Sequence, residues 1–422
     1  MRRSQSHVHV VGAGGRLFLI AMAFSLVLAA CGGPEETAEP GDAGGEGGQT
    51  EAEGPAESEA AGSEGEAGTD APEDMQDAVA AAEAAGLEFF TNHDDIVACA
   101  EEEGALTAWS GLREDYELLA SFEEQYPFLD VTLADISGVE ARERFVLEAE
   151  AGQFPPYDVI VVATELYPTL SKYTELYDVL GMAQAGVLDI PIDMIDDVTR
   201  SVVASGSTAG VFSYNEDAFT DMELPATWED LIDERFSTTS GFRMLGDTRL
   251  QNVAPLAVEW GLDGVLDYYG RFAEVNQPIW VTGFATHLVS MAQGESDGYP
   301  FVNLHSAHRE TTLYGSPLAW TFVEPIPIRL SEVHGVAEWA ANPCAALLFV
   351  EWAAMPAGQA AFETGDSPYQ SSIFSEYEGG LADLVEETGM ETSIAGWPEM
   401  REAEDDIEAI LEAAGFPQPV EG

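Results

Sequence analysis

Three short segments hold many of the side chains able to recognise a small ligand: Asp247-Thr248-Arg249, Thr286-His287, and His305-Ser306-Ala307-His308. Two histidines three apart, joined by a carboxylate such as Glu165, can hold a divalent metal, because imidazole suits such ions. Arginine forks instead grip carboxylate or phosphate through paired hydrogen bonds. Cations are scarce here, with 15 Lys plus Arg against 77 Asp plus Glu and a formal net charge of −62. Arg113, Arg249 and Arg309 nonetheless fall in loops where strand patterns give way to helix. That placement points to an anionic organic solute, with a metal held by His305, His308 and Glu165 as the alternative. Catalysis has less support. The chain has no Gly-x-Ser-x-Gly elbow, no His-Glu-x-x-His pair and no lysine-bearing phosphate loop. The expectation is a binding protein without cofactor. An exported hydrolase stays open as a rival, since a spatial triad leaves no local signature. The acidity excludes a nucleic-acid partner, which needs a basic surface.

These residues need a scaffold, and the pattern supplies one. Asp94 to Glu103 reads as a helix stopped by Gly104, and Ala105 to Trp109 as a short strand. Arg113 to Gln125 is helical, Leu129 to Ala134 alternates like a strand, and Val139 to Gly152 is helical again. The β-branched run Tyr157 to Val162 suits a strand buried on both faces of a parallel sheet. Further on come strands at Ala209–Tyr214, Phe242–Leu245, Pro278–Val281 and Tyr299–Leu304, with helices at Trp228–Asp233, Asn252–Trp260, Asp263–Val275 and Ala285–Gln293 between them. Leu318 to Val333 is extended and interrupted by Pro325 and Pro327; Ala345–Ala354 and Ala403–Ala414 close the chain as helices. Strand–helix alternation of this kind is an α/β fold. No internal sequence repeat is visible.

Several segments in this order resemble one family. IVACAEEEG at 96–104 followed by LTAWSG resembles the opening helix and strand of bacterial extracellular solute-binding proteins of the family 1 and ferric types. Phe212-Ser213-Tyr214-Asn215 resembles the passage into that family's second lobe. Pro225-Ala226-Thr227-Trp228-Glu229-Asp230-Leu231 resembles its Pro-x-(Ser/Thr)-Trp-x-(Asp/Glu)-Leu signature, and Asn342-Pro343-Cys344-Ala345-Ala346 with FVEWAAMPAGQAAF resembles its late helix. The likeness runs over about 94–365. It implies the type II periplasmic-binding-protein architecture: two α/β lobes joined by a two-strand hinge, with 94–208 plus 328–422 as lobe 1 and 209–327 as lobe 2. It also implies a monomeric ABC-importer receptor that closes on its solute and is then recognised by a membrane permease.

In such folds ligand meets loops at the carboxyl ends of strands. That rule selects Ser110, Gly111 and Arg113 after the first strand, Ser137 and Gly138 after the second, and Thr164 and Glu165 after the third. In lobe 2 it selects Asp247, Thr248, Arg249, Thr286, His287, His305, Ser306 and His308. Trp109 and Phe301 suit either the solute's apolar part or the core. Ferric-binding relatives carry adjacent tyrosines after a strand in lobe 2. Here that place is filled by His305 and Ser306, and the adjacent Tyr268-Tyr269 lies in a helical pattern that belongs in a core.

The ends complete the expectation. Arg2, Arg3 and Arg16 precede the apolar run Leu17–Ala30, which is shorter than the roughly 20 residues a membrane span needs. Leu28-Ala29-Ala30-Cys31 resembles a lipobox, so residues 1–30 are expected to be a lipoprotein signal peptide. Cys31 would be the lipidated residue, anchoring the protein at the outer face of the cytoplasmic membrane. Residues 31–93 read as an acidic disordered tether with room for one short helix. Cys99 and Cys344 can either form a disulfide or stay as buried thiols. The general acidity suits a surface adapted to high salt.

Overall fold

The computed structural model describes residues 73–110, 115–135, 139–161, 167–220, 222–364 and 368–415. The expected signal peptide, Cys31 and most of the expected tether lie outside them. The first elements are α1 (Glu73–Ala85), α2 (His93–Glu103), β1 (Ala105–Ser110), α3 (Asp115–Gln125), β2 (Asp130–Asp135), α4 (Val139–Glu150), β3 (Val159–Val161), α5 (Tyr167–Leu170) and α6 (Val179–Gln184). The long β4 (Val203–Asn215) leads into β5 (Leu245–Asp247), α7 (Ala257–Asn276), β6 (Ile279–Val281), α8 (Ala285–Ala292), β7 (Gly298–Asn303), α9 (Leu304–His308) and β8 (Leu318–Thr321). The chain returns through β9 (Ile326–Val336) and ends with α10 (Pro343–Ala354), α11 (Pro356–Phe362), α12 (Leu381–Thr388), β10 (Thr392–Ala395) and α13 (Trp397–Ala413).

Local chemistry explains several boundaries. Asn92 caps α2 by accepting the Asp94 amide, acids fill its first turn, and Gly104 at φ 67° ends it. The two helices expected between 252 and 275 share α7, broken at Gly261 by φ 67°. Residues 73–92, read from sequence as the end of a tether with room for one short helix, hold that helix as α1 and pack: Ala82 is fully buried, Glu88 bridges Tyr177, and Phe89 and Phe90 pack on the neighbouring core. Cys99 and Cys344 are joined in a disulfide that ties α2 to α10, with Cα atoms 5.8 Å apart. α10 is buried throughout from Cys344 to Ala354. Its Glu351 carboxylate is satisfied by the Asp189 amide and by His93 Nε2. Among the described residues no single helix is long and apolar enough to cross a membrane.

The sheet explains the two lobes. β2, β1 and β3 are parallel, and β3 pairs antiparallel with β9, which pairs antiparallel with β4 from Val203↔His334 to Ala209↔Ile328. The first half-sheet is therefore ordered β2-β1-β3-β9-β4. Beyond Ala209, β4 pairs with β7 on one edge and β8 on the other, while β5 pairs β6 and touches β7 through Met244↔Gly298. The second half-sheet thus reads β6-β5-β7-β4-β8, the same order with β4 in the place β9 takes in the first half and β8 in the place of β4. Among the described residues β4 alone pairs in both halves, with the returning β9 antiparallel beside its first part. In each half the carboxyl ends of the parallel strands face the other half across this ribbon.

α13 adds a third connection. Its Trp397 and Met400 lie in the lobe-1 cluster with Trp109, Phe145 and Tyr167. Ile410 lies in the lobe-2 cluster around α7, with Ile407, Leu411 and Ala414 packed against it. Arg401 binds the fully buried Asp196, which also accepts from Tyr167 and Thr199.

Candidate functional site

The lobe-2 wall of the inter-lobe space is built from the ends of β5, β6 and β7. Asp247 ends β5 and is 5 % exposed. Its carboxylate accepts from Arg249 Nε, Arg249 Nη2 and the Arg249 amide, and weakly from the Gly283 amide. The Arg249 guanidinium also lies 4.1 Å from the Phe284 ring centroid, where a cation is attracted to the ring face. Arg249 is therefore oriented on two sides and keeps a third of its surface open, at 33 % exposure. Thr248 meets Thr282, hydroxyl to hydroxyl, at 2.7 Å. Behind them Tyr269 donates to the Asp247 carbonyl and Tyr299 to the Gly283 carbonyl. Burial pushes both phenols up, with the Asp247 charge adding to it, so they remain protonated donors.

At the end of β7, Asn303 leads into α9, which carries His305, Ser306 and His308. Ser306 is buried. The His308 ring stands among aromatic neighbours, 5.1 Å from Tyr369 and 6.3 Å from Trp320, and burial lowers its pKa. Thr286 is exposed and His287 half-buried in the first turn of α8. Arg309 follows α9 directly.

The structure thus brings Asp247, Thr248 and Arg249 together with 282–284, and places His305, Ser306 and His308 on one helix. On the lobe-1 side, Ser110 ends β1 opposite Asp135 in register. Gly111, Arg113, Ser137, Gly138, Thr164 and Glu165 lie outside the described residues. Both dual-purpose aromatics are core. Trp109 packs 4.4 Å from Phe145, and Phe301 stacks 3.9 Å from Trp228. Tyr268 and Tyr269 are likewise buried. Among the described residues, one group of three cysteine, histidine or carboxylate ligand atoms lies close enough to hold a metal: Cys99, Glu103 and Cys344. Its sulfurs are spent in the disulfide.

Sequence reasoning missed Asn252, Asn303 and Arg329. Asn252 Nδ2 donates to the Phe301 carbonyl and to Asn303 Oδ1, and its Oδ1 accepts from Arg329 Nε. Arg329 lines a small cavity of about 30 Å³ with Gln251, Leu330, Met400, Asp406 and Ile407. Burial and the nearby Glu402 and Asp405 charges raise the Asp406 pKa. The signal available for Asn252 was its place three residues beyond Arg249, but it read as the start of a helix.

Residues 103–237 match the family described as bacterial extracellular solute-binding protein. No curated protein sequence matches the chain. Solved structures resemble it at low identity. A substrate-binding protein of an ABC transporter from Agrobacterium tumefaciens is 16% identical with TM-score 0.59, over 74% of this chain and 96% of that one. Iron-bound HitA from Pseudomonas aeruginosa is 15% identical with TM-score 0.54, over 74% and 99%. AfuA from Actinobacillus pleuropneumoniae, with fructose-6-phosphate bound, is 19% identical with TM-score 0.52, over 74% and 98%. The resemblance read from the sequence therefore holds: the chain matches the bacterial extracellular solute-binding proteins over 103–237 and has the two-lobed type II periplasmic-binding-protein fold.

Proposed function

We propose that this protein is the external receptor of an ABC-type importer and that it closes its two lobes around a small anionic organic solute. The observation that carries the receptor reading is the pair of half-sheets of identical order, their strand ends facing each other across the β4–β9 ribbon. Such a ribbon lets one lobe rotate against the other, and a solute that touches both walls favours the closed state. The protein acts as a receptor, without catalysis. It is held through a lipid on Cys31 at the outer face of the cytoplasmic membrane, works as a monomer, and delivers to a permease.

Charge supports the anion. The chain has 77 acids, yet the wall segments 247–249, 282–287 and 303–309 contain one, Asp247, and it is committed to Arg249. The same segments hold Arg249, Arg309, His287, His305 and His308. The sugar phosphate in AfuA makes sugar phosphates the first probes, and the iron in HitA puts ferric ion in the same screen. The test is a thermal-shift screen of the chain from residue 32 onward in high salt, with sugar phosphates, phosphonates, carboxylates, polyamines, and ferric and divalent metals. A ligand at a hundred times its Kd adds about 2.7 kcal/mol. A shift with an anion that is lost in Arg249→Ala or Arg113→Ala supports the proposal. A shift with metals alone, lost in His305→Ala, overturns the choice of solute.

A further inference from the structure

Asn252 is 2 % exposed and sits where the crossing strands enter lobe 2. A methyl group placed on Gly210 of β4 would stand 3.1 Å from the Asn252 Cβ and 2.9 Å from the Pro327 ring of β9, so the three segments touch here. The Asn252 amide nitrogen donates to the Phe301 carbonyl at 2.8 Å and to Asn303 Oδ1 at 2.7 Å, and its oxygen accepts from Arg329 Nε at 3.0 Å. One buried side chain therefore joins the loop after β5, the end of β7 and the returning strand β9. The first two are the wall segments that carry Arg249 and His305. Phe301 adopts φ 60°, a backbone region rare for a bulky residue, so its carbonyl direction depends on the surrounding contacts.

We infer that Asn252 is a positioning residue for the solute site: it fixes the two wall segments against each other and against β9, so that occupancy of the wall biases the hinge. This rests on the receptor reading above. A carboxamide suits the role because it donates to carbonyl oxygens and accepts from a guanidinium at once. Aspartate keeps the shape and the acceptor for Arg329. It turns negative oxygens on the Phe301 carbonyl and Asn303 Oδ1, where a donor is needed.

Asn276 provides the control, being a fully buried lobe-2 asparagine that bonds the Leu231 and Phe236 carbonyls away from the wall. Spin labels on exposed Glu123 in α3 and Val258 in α7 report the inter-lobe distance, and amide hydrogen exchange reports the segments. In Asn252→Asp without added solute, exchange should rise at least tenfold both in 301–306 and in 326–330, with α2 and α10 unchanged. The inter-lobe distance distribution should broaden. Asn276→Asp should instead raise exchange around 231–236 and leave 326–330 as in the wild type. Equal effects of the two variants on β9, or a rise confined to 250–254, would make Asn252 an ordinary core amide and overturn the inference. A wild-type distance that stays fixed across fructose-6-phosphate, phosphonates, carboxylates, polyamines and metals overturns the receptor reading. A wild-type distance that shifts, together with an Asn252→Asp distance that shifts equally, overturns this inference alone.

Discussion

His334 should make the hinge sensitive to acid. It lies on β9 opposite Val203 of β4, the first pair of the crossing ribbon, and is 3 % exposed. The Ser205 hydroxyl donates to the Glu332 carbonyl at 2.9 Å and lies 3.1 Å from His334 Nδ1, so Nδ1 is the protonated nitrogen of a neutral ring. The ring meets the edge of Phe349 at 5.7 Å and lines a small cavity with Ala108, Trp109 and Val161. Burial alone pushes its pKa down from the ordinary 6.5 to about 4. As pH falls, the unfolded chain takes this proton near 6.5 while the folded chain resists until near 4. The unfolded state therefore binds more protons throughout that window, and stability is lost downward through it. The full shift corresponds to about 3 kcal/mol, of which about 2 kcal/mol is lost by pH 5, where ordinary carboxylates are still mostly ionised.

The assay is urea unfolding at fixed high salt at pH 7.5, 6.0 and 5.0, for the wild type and for His334→Gln. Glutamine can still bond Ser205 but does not titrate. Groups other than His334 are common to both proteins and cancel in the comparison. The wild type should lose about 2 kcal/mol more than the variant between pH 7.5 and 5.0. Parallel pH dependences would refute the reasoning, because they would show that the ring takes up its proton without leaving the folded ribbon.

Reduction of Cys99–Cys344, or the paired serine variant, should lower stability by up to about 5 kcal/mol from the entropy of the 245-residue separation, read by melts with and without a phosphine reductant. Arg249→Ala leaves the buried Asp247 carboxylate with backbone donors only and should cost about 1–3 kcal/mol as well as anion binding; Arg249→Lys, which cannot reproduce the two guanidinium bonds, should recover part of the stability at most. Arg401→Ala, which removes a partner of the fully buried Asp196, should cost about 3 kcal/mol and widen the inter-lobe distance distribution, as seen by spin labels. Anion affinity, measured by calorimetry, should rise with salt from low ionic strength, because the charge of −62 repels an anion until it is screened.

The parts legible in the sequence were those written in local chemistry. The capped helix before Gly104, the dense strand within the run from Tyr157 to Val162, the proline-broken passage from 318 to 333 and the strand-end positions of Asp247 and His305 all follow from period, caps and turn residues. What escaped was decided by distant partners. α1 hides little more than Ala82 and packs Met75, so its composition resembles the tether, yet those contacts and the Glu88–Tyr177 bridge are enough to seat it. The crossing does fall at Ala209, but the strand read as starting there begins at Val203, because pairing with β9 organises the earlier residues. Asn252 carries no local mark beyond its place three residues after Arg249. Its partners lie 49, 51 and 77 residues away, and only the fold makes it a junction.

The repeated strand order explains why no repeat is visible in the sequence. Each half-sheet needs a strand, a connection, a second strand, a third strand and one strand borrowed from the ribbon; that requirement constrains hydrophobic pattern and loop length more than residue identity. The strand ends are free to differ, and they do: β1 ends in Ser110, whereas β5 ends in Asp247 locked to Arg249. Chemistry can therefore be chosen separately on the two walls, which the proposed rotation about β4 and β9 would bring together. The acid distribution follows the same division. Surface charges are screened beyond about 3 Å in molar salt, so the outer face can carry carboxylates at little electrostatic cost. Within a closing cleft water and salt are expelled and a stray carboxylate would act at close range. An anion-binding wall must then be kept clear of unpaired acids even in a chain made mostly acidic, and on the described lobe-2 wall the one acid, Asp247, is held by the arginine beside it.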